Sequence, residues 1–207
     1  MYRHICFRLF GIAIFICVSC VHHQNFSLHE DRLVANMWNN HKEIISRILN
    51  YQVRGAIIYM INNQRKVYVP FIWTQDHDNS HIKLFNVFGS TIISISVENG
   101  VVSILSIISR QNNDLKNEIQ KWFMMMDISY FLEQLQQWII GLPNSGEEYN
   151  LNAIGCLSHI NYYHKKKKIS IYYRDYYANS IPILPKVLDI YCDQYCIRLV
   201  INNWNIR

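Results

Sequence analysis

Two stretches of the chain carry residue types that could do chemistry, and they point in opposite directions. Asp76-His77-Asp78-Asn79-Ser80-His81 gathers carboxylates and imidazoles, the donor types that a metal ion or an acid–base step would use. The same composition is also that of an exposed hairpin turn. Val87-Phe88-Gly89 does the reverse, within Leu84-Phe85-Asn86-Val87-Phe88-Gly89-Ser90-Thr91. It sets a bulky apolar pair where two β-like runs meet, at a tip that Asn, Asp, Gly or Ser normally fills. Either this tip folds inward as core, or it is a finger that touches something apolar such as lipid.

Other chemistry finds little support. Nine His and six Cys leave a Cys–His nucleophile conceivable, but no local signature marks one. There is no P-loop, no Gly-rich dinucleotide fingerprint and no zinc-type Cys spacing, so no cofactor or metal is expected. The formal charge is +5 and the 20 basic residues are dispersed, which argues against nucleic acid as partner. Lys165 to Lys168 form one local basic run. It is either a solvated turn or a patch that meets anionic head groups or an acidic partner.

The N-terminus reads as an export signal. Arg3 and Arg8 precede the apolar run Leu9 to Val18, which is too short and wrongly flanked for a stable transmembrane helix. Val18-Ser19-Cys20 is similar to a bacterial lipobox, with Cys17 where Leu is usual. That resemblance implies that Cys20 carries a diacylglyceryl group and an N-acyl chain. Val21 rather than Asp after it implies sorting to the outer membrane. The expected organisation is a signal peptide over 1–19, a tether over 20–27 and a single domain over 28–207. Of the remaining thiols, Cys192 and Cys196 are expected on one strand, roughly 13 Å apart and too far to bridge. A bond from Cys156 to either one, or three free thiols, stays open.

The elements that must position the two stretches follow from periodicity. Ser27 and Glu30 stand at capping-box spacing. Leu33, Met37, Trp38, His41, Ile44, Ile45 and Ile48 then follow at helical spacing, ending near Asn50. Strands are expected over Gln52–Ile61, Lys66–Thr74, His81–Asn86, Ser90–Val97 and Val101–Ile108, with Asn99-Gly100 as a type I′ turn. Val67, Val69, Phe71 and Trp73 alternate with Tyr68, Pro70 and Ile72, so both faces of that strand are apolar. Such strands suit a sheet curved around an interior and covered outside, or one lining a lipid pocket. A short helix is expected over Asn117–Met126. A second, capped by Asp127 and stopped by Gly141 and Pro143, carries the stripe Ile128, Phe131, Leu132, Leu135, Trp138 and Ile139. Strands return over Gly155–Tyr163, Ile169–Tyr173, Val187–Tyr191 and Cys196–Asn202. The order predicts an antiparallel sheet, closed or nearly so, with its helices gathered on one side.

Set in that frame, the chain resembles the LolB family of outer-membrane lipoprotein receptors. The resemblance rests on Cys20, on Trp38 leading to Tyr51-Gln52-Val53-Arg54-Gly55-Ala56, and on Lys66-Val67-Tyr68 and Phe71-Ile72-Trp73. It continues through Asn86-Val87-Phe88-Gly89-Ser90-Thr91, similar to the family's Asn-Pro-Leu-Gly-Ser-Thr. It ends with Leu135-Gln136-Gln137-Trp138-Ile139-Ile140-Gly141-Leu142-Pro143 and Asn203-Trp204-Asn205-Ile206-Arg207. It implies an α+β, mainly β fold: an unclosed antiparallel β-barrel of about eleven strands with an α-helical lid over a hydrophobic cavity. It also implies a monomer, not an enzyme, that takes lipoproteins from a LolA-like periplasmic carrier and releases them into the inner leaflet of the outer membrane. Their acyl chains would sit in the cavity, with no nucleotide used. An exposed apolar residue important for release corresponds by position to Phe88, with Val87 replacing the family's Pro and Gly89 as hinge. The cavity and lid candidates are Arg54, Trp73, Trp122, Phe131, Leu135 and Trp138. The alternatives are a periplasmic lipoprotein with hydrolase or metal-dependent activity on the Asp76–His81 loop, and a purely structural lipoprotein.

Overall fold

The computed structural model describes residues 31–106, 127–165 and 167–207. Cys20 with the export segment, the tether, the helix expected over Asn117–Met126 and Trp122 lie outside the described residues. A helix over residues 31–45 (α1) leads into β1 (Asn50–Ile61), β2 (Gln64–Asp76), β3 (Asn79–Phe85), β4 (Thr91–Glu98) and β5 (Val101–Ser106). Helix α2 (Ile128–Ile140) comes next. It precedes β6 (Glu148–Leu151), β7 (Leu157–His164), β8 (Lys167–Tyr176), β9 (Pro185–Cys192) and β10 (Tyr195–Ile206).

All ten described strands form one antiparallel sheet in the order β5-β4-β3-β2-β1-β10-β9-β8-β7-β6. The sheet is unclosed, with β5 and β6 at its edges, and it wraps α2. This is the mainly β architecture expected, with ten of about eleven strands among the described residues. Antiparallel pairing throughout has a geometric consequence. The β1–β2, β3–β4, β7–β8 and β9–β10 turns all lie at one end of the sheet, and the β2–β3, β4–β5, β6–β7 and β8–β9 connections lie at the opposite end.

Local chemistry explains the turns. Asn62, Asn63, Asn99 and Gly100 all have positive φ, the geometry that type I′ hairpins demand and that Asn and Gly tolerate. Gly55 answers a different need, at an irregularity between Arg54 and Gly55 in the β1–β10 register. A Cβ there would lie 2.1 Å from the carbonyl oxygen of Val200, so only glycine allows the central strands to approach.

The core lies between the wrapped face and α2. Phe131, Leu132, Leu135, Trp138 and Ile139 of α2 are all buried, each contributing about 1.5–3 kcal/mol of apolar transfer free energy. Gly141 ends the helix at φ 87°, its amide bonded to the Trp138 carbonyl. Asp127 holds the N-cap position without a side-chain cap bond; its carboxylate instead accepts from Lys165 Nζ at 2.7 Å.

Three local expectations are corrected. Helix α1 ends at residue 45 rather than near Asn50, because Asn50 already pairs with Asp76 as the first residue of β1. Strand β6 was not expected: the four residues Glu-Tyr-Asn-Leu are too few for their alternation to mark a strand, and its place comes from pairing with β7. Cys192 and Cys196 are not on one strand. They flank the β9–β10 turn, where Cys192 pairs with Tyr195 and Cys196 with Tyr191, so they face opposite sides of the sheet. Both, and Cys156, are buried free thiols. Burial pushes Cys156 and Cys196 up to about 11 and raises Cys192.

Candidate functional site

The period-2 alternation of β2 explains how the site is built. Val67, Val69, Phe71 and Trp73 point inward, while Tyr68, Pro70 and Ile72 face outward and are more exposed. The inward row forms one wall of a cavity of about 90 Å³. Tyr59, Ile82 and Leu84 extend that wall on β1 and β3, and Ile190, Ile197 and Leu199 close it from β9 and β10. Ile128, Phe131, Leu132 and Leu135 of α2 form its roof. Of the sequence candidates, Trp73, Phe131 and Leu135 meet at this cavity.

The polar tip of Trp73 is satisfied away from the cavity. Its Nε1 donates to Gln75 Oε1 at 3.1 Å, and Ser80 Oγ donates to the same oxygen at 2.5 Å. Gln136 Nε2 of α2 in turn donates to Ser80 Oγ at 3.0 Å. Gln75 and Ser80 are both buried, where an unpaired amide or hydroxyl would be costly. The network therefore satisfies the polar tip of Trp73 and fastens the roof helix to β2 and β3. No single feature of the sequence links Gln75, Ser80 and Gln136, since they meet only through sheet register and helix placement.

Trp138 sits differently from the other aromatic candidates. It is fully buried but is not among the cavity-lining residues. Its indole N–H bonds Glu147, and its carbonyl accepts from Tyr173 Oη at 2.8 Å. Arg54 is exposed on β1, and its Nη2 donates to Gln52 Oε1 at 3.4 Å. The structure thus places Arg54 and Trp138 apart from the cavity wall.

The tip of the β3–β4 turn projects. Val87 is 80% exposed and Phe88 90% exposed. This exposure comes from a built turn. Asn86 Oδ1 accepts from the amides of Phe88 (3.0 Å) and Ser90 (2.9 Å). Asn86 N donates to Ser90 O, Gly89 N donates to Asn86 O, and Gly89 takes φ +82°. With its backbone satisfied by its own residues, the turn holds two apolar side chains out in water. Leu84, four residues before Phe88, belongs to the cavity wall, so β3 runs from the wall into the turn that carries the tip. The role of Asn86 as organiser was legible as an Asx-turn residue before a Gly.

Within the acidic and imidazole-bearing stretch, Asp76, His77 and Asp78 are exposed at the β2–β3 turn, while Asn79, Ser80 and His81 already belong to β3 and Ser80 is buried. His77 Nδ1 lies 2.9 Å from Asp76 Oδ1, and the His77 amide bonds Leu49 O and Asn50 Oδ1. Among the described residues, no group of three or more His, Cys, Asp or Glu is arranged to hold a metal ion. No described helix is long and apolar enough to cross a membrane.

Comparison with known proteins adds an independent line. A family model described as outer membrane lipoprotein LolB matches residues 49–204. An outer-membrane lipoprotein LolB from Sodalis glossinidius is 29% identical, covering 97% of this chain and 96% of its own length. One from Baumannia cicadellinicola is 27% identical, covering 82% and 78%. A solved LolA superfamily protein from Nitrosomonas europaea aligns with a TM-score of 0.45 at 8% identity, covering 84% of this chain and 93% of its own. The matched span takes in β1 to β9 and β10 as far as Trp204, with the cavity wall, the roof helix and the projecting tip. The chain belongs to the outer membrane lipoprotein LolB family.

Proposed function

We propose that the chain is an outer-membrane lipoprotein receptor anchored through acylated Cys20 and facing the periplasm. It takes lipoproteins from a LolA-like carrier, shelters their acyl chains in the cavity under α2, and passes them to the inner leaflet of the outer membrane. The observation that carries this reading is that one strand, β3, contributes Leu84 to an apolar cavity wall and leads directly into the turn that exposes Phe88. An acyl chain gains about 0.8 kcal/mol for each CH₂ removed from water. A path that keeps it covered from cavity to bilayer therefore lets transfer run downhill without a nucleotide. Non-directional apolar contacts also suit cargo that shares only its acyl chains. The protein acts as a monomer, and no catalytic residue is assigned.

The test is Phe88→Glu. A charge at the tip opposes entry into hydrocarbon and leaves the cavity untouched, so the variant is expected to accept lipoprotein from the carrier and to fail to deliver it to membranes. Wild-type rates of delivery by the variant would falsify this reading.

A further inference from the structure

The charges at the two ends of the sheet differ in sign. At the end that carries Phe88, Arg65 and Lys66 open β2, and Lys165, Lys167 and Lys168 flank the β7–β8 turn. Asp193 and Asp127 oppose them there, and Asp127 is already bonded to Lys165 at 2.7 Å. The turns at the other end carry exposed Asp76, Asp78 and Glu98. Arg65, Lys66, Lys165 and Lys168 are exposed; the β1–β2 turn neighbours the β3–β4 tip in the sheet order, while β7–β8 lies well apart from it. Cations therefore stand both beside the apolar tip and across the sheet from it, around one end of the molecule. A broad surface that is anionic outside and apolar inside is the partner that engages them all.

We propose that this basic end docks on the anionic phospholipid of the target bilayer, with Lys66 and Lys168 among the residues that meet lipid phosphates while Phe88 enters the hydrocarbon. The inference rests on the membrane-facing role of Phe88 and adds a second, electrostatic determinant to it. Basic side chains near an anionic leaflet each favour binding on the order of 5-fold. The effect fades beyond a Debye length of about 8 Å at physiological salt, which orients the molecule with its acidic end away from the membrane.

The experiment uses the full processed protein reconstituted in phosphatidylethanolamine vesicles with or without phosphatidylglycerol. An environment-sensitive fluorophore on Val87→Cys reads the ratio of inserted to free tips. Phosphatidylglycerol is expected to raise that ratio, and Lys66→Gln/Lys168→Gln to lower it on the order of 10-fold on anionic vesicles only. Added salt should abolish the difference. Asp76→Asn/Asp78→Asn, which raises net charge at the opposite end, should leave the ratio unchanged. Equal insertion with and without phosphatidylglycerol, unaffected by the lysine changes, overturns this inference and leaves the role of Phe88 standing. So does intact insertion with lost cargo uptake, which assigns the basic end to an acidic carrier protein. An equal gain from the aspartate changes reduces the effect to net charge and also overturns it. Absence of tip insertion into any vesicle sinks the membrane-facing reading itself.

Discussion

The indole Nε1 of Trp138 donates to both carboxylate oxygens of Glu147, at 3.0 and 3.1 Å. Glu147 also accepts from the Asn144 amide at 2.7 Å and from Asn144 Nδ2 at 3.3 Å. One carboxylate therefore satisfies the buried tryptophan and the chain reversal that follows α2. Glu147→Ala would strand these donors, at a cost of about 2 kcal/mol, or roughly 4–8 °C in Tm for a domain of this size. Glu147→Gln keeps an acceptor and should recover much of the loss. Thermal unfolding by circular dichroism decides it, and equal stability of the alanine variant would remove Glu147 from this role.

The cavity makes a separate prediction at Val67, a half-buried wall residue on β2. Val67→Phe fills apolar space without introducing a charge or an unpaired polar group. Binding of a fluorescent fatty acid should weaken by on the order of 10-fold, since lost van der Waals room cannot be regained in a closely packed wall. Stability should hold or rise, as cavity filling commonly gives. Unchanged affinity in the folded variant would place the acyl site elsewhere.

A third prediction concerns acid. Asp189 is fully buried on β9 and accepts from Arg174 Nε at 2.9 Å, from Arg198 Nε at 2.6 Å and from Arg198 Nη2 at 2.8 Å. Burial alone would raise its pKa, but the hydrogen bonds from Arg198 and Arg174 outweigh that and hold it below the ordinary carboxylate value. A carboxylate whose pKa is lower folded than unfolded stabilises the protein above its unfolded value, about 3.9. That contribution is lost as pH falls from there through the folded pKa. Asp189→Asn should therefore lose about 2–3 kcal/mol at neutral pH, with the gap to wild type narrowing below about pH 4. Urea unfolding across pH is the measurement, and a gap that widens toward acid would contradict the assignment.

The local elements were legible in the residues alone. Asn-Asn and Asn-Gly fixed the turns because few other residues accept positive φ. The stripe from Ile128 to Ile139 with Gly141 fixed α2, and the inward row of β2 marked a two-faced apolar strand. The residues also marked Phe88, because a bulky apolar side chain beside a turn glycine breaks the usual turn chemistry. Which apolar residues line space and which fill it was set by long-range packing. Phe131, Leu135 and Trp138 share one helical stripe, yet the first two face the cavity while Trp138 packs solidly against Glu147 and Tyr173. Periodicity reports which face of a helix is buried, and it carries no information about what that face meets. The Gln75–Ser80–Gln136 network was hidden for the same reason, because Gln136 reaches Ser80 only through the packing of α2. The reversal between Cys192 and Cys196 and the edge strand β6 were hidden by shortness: a two-residue turn without glycine and a four-residue strand leave too little pattern to read.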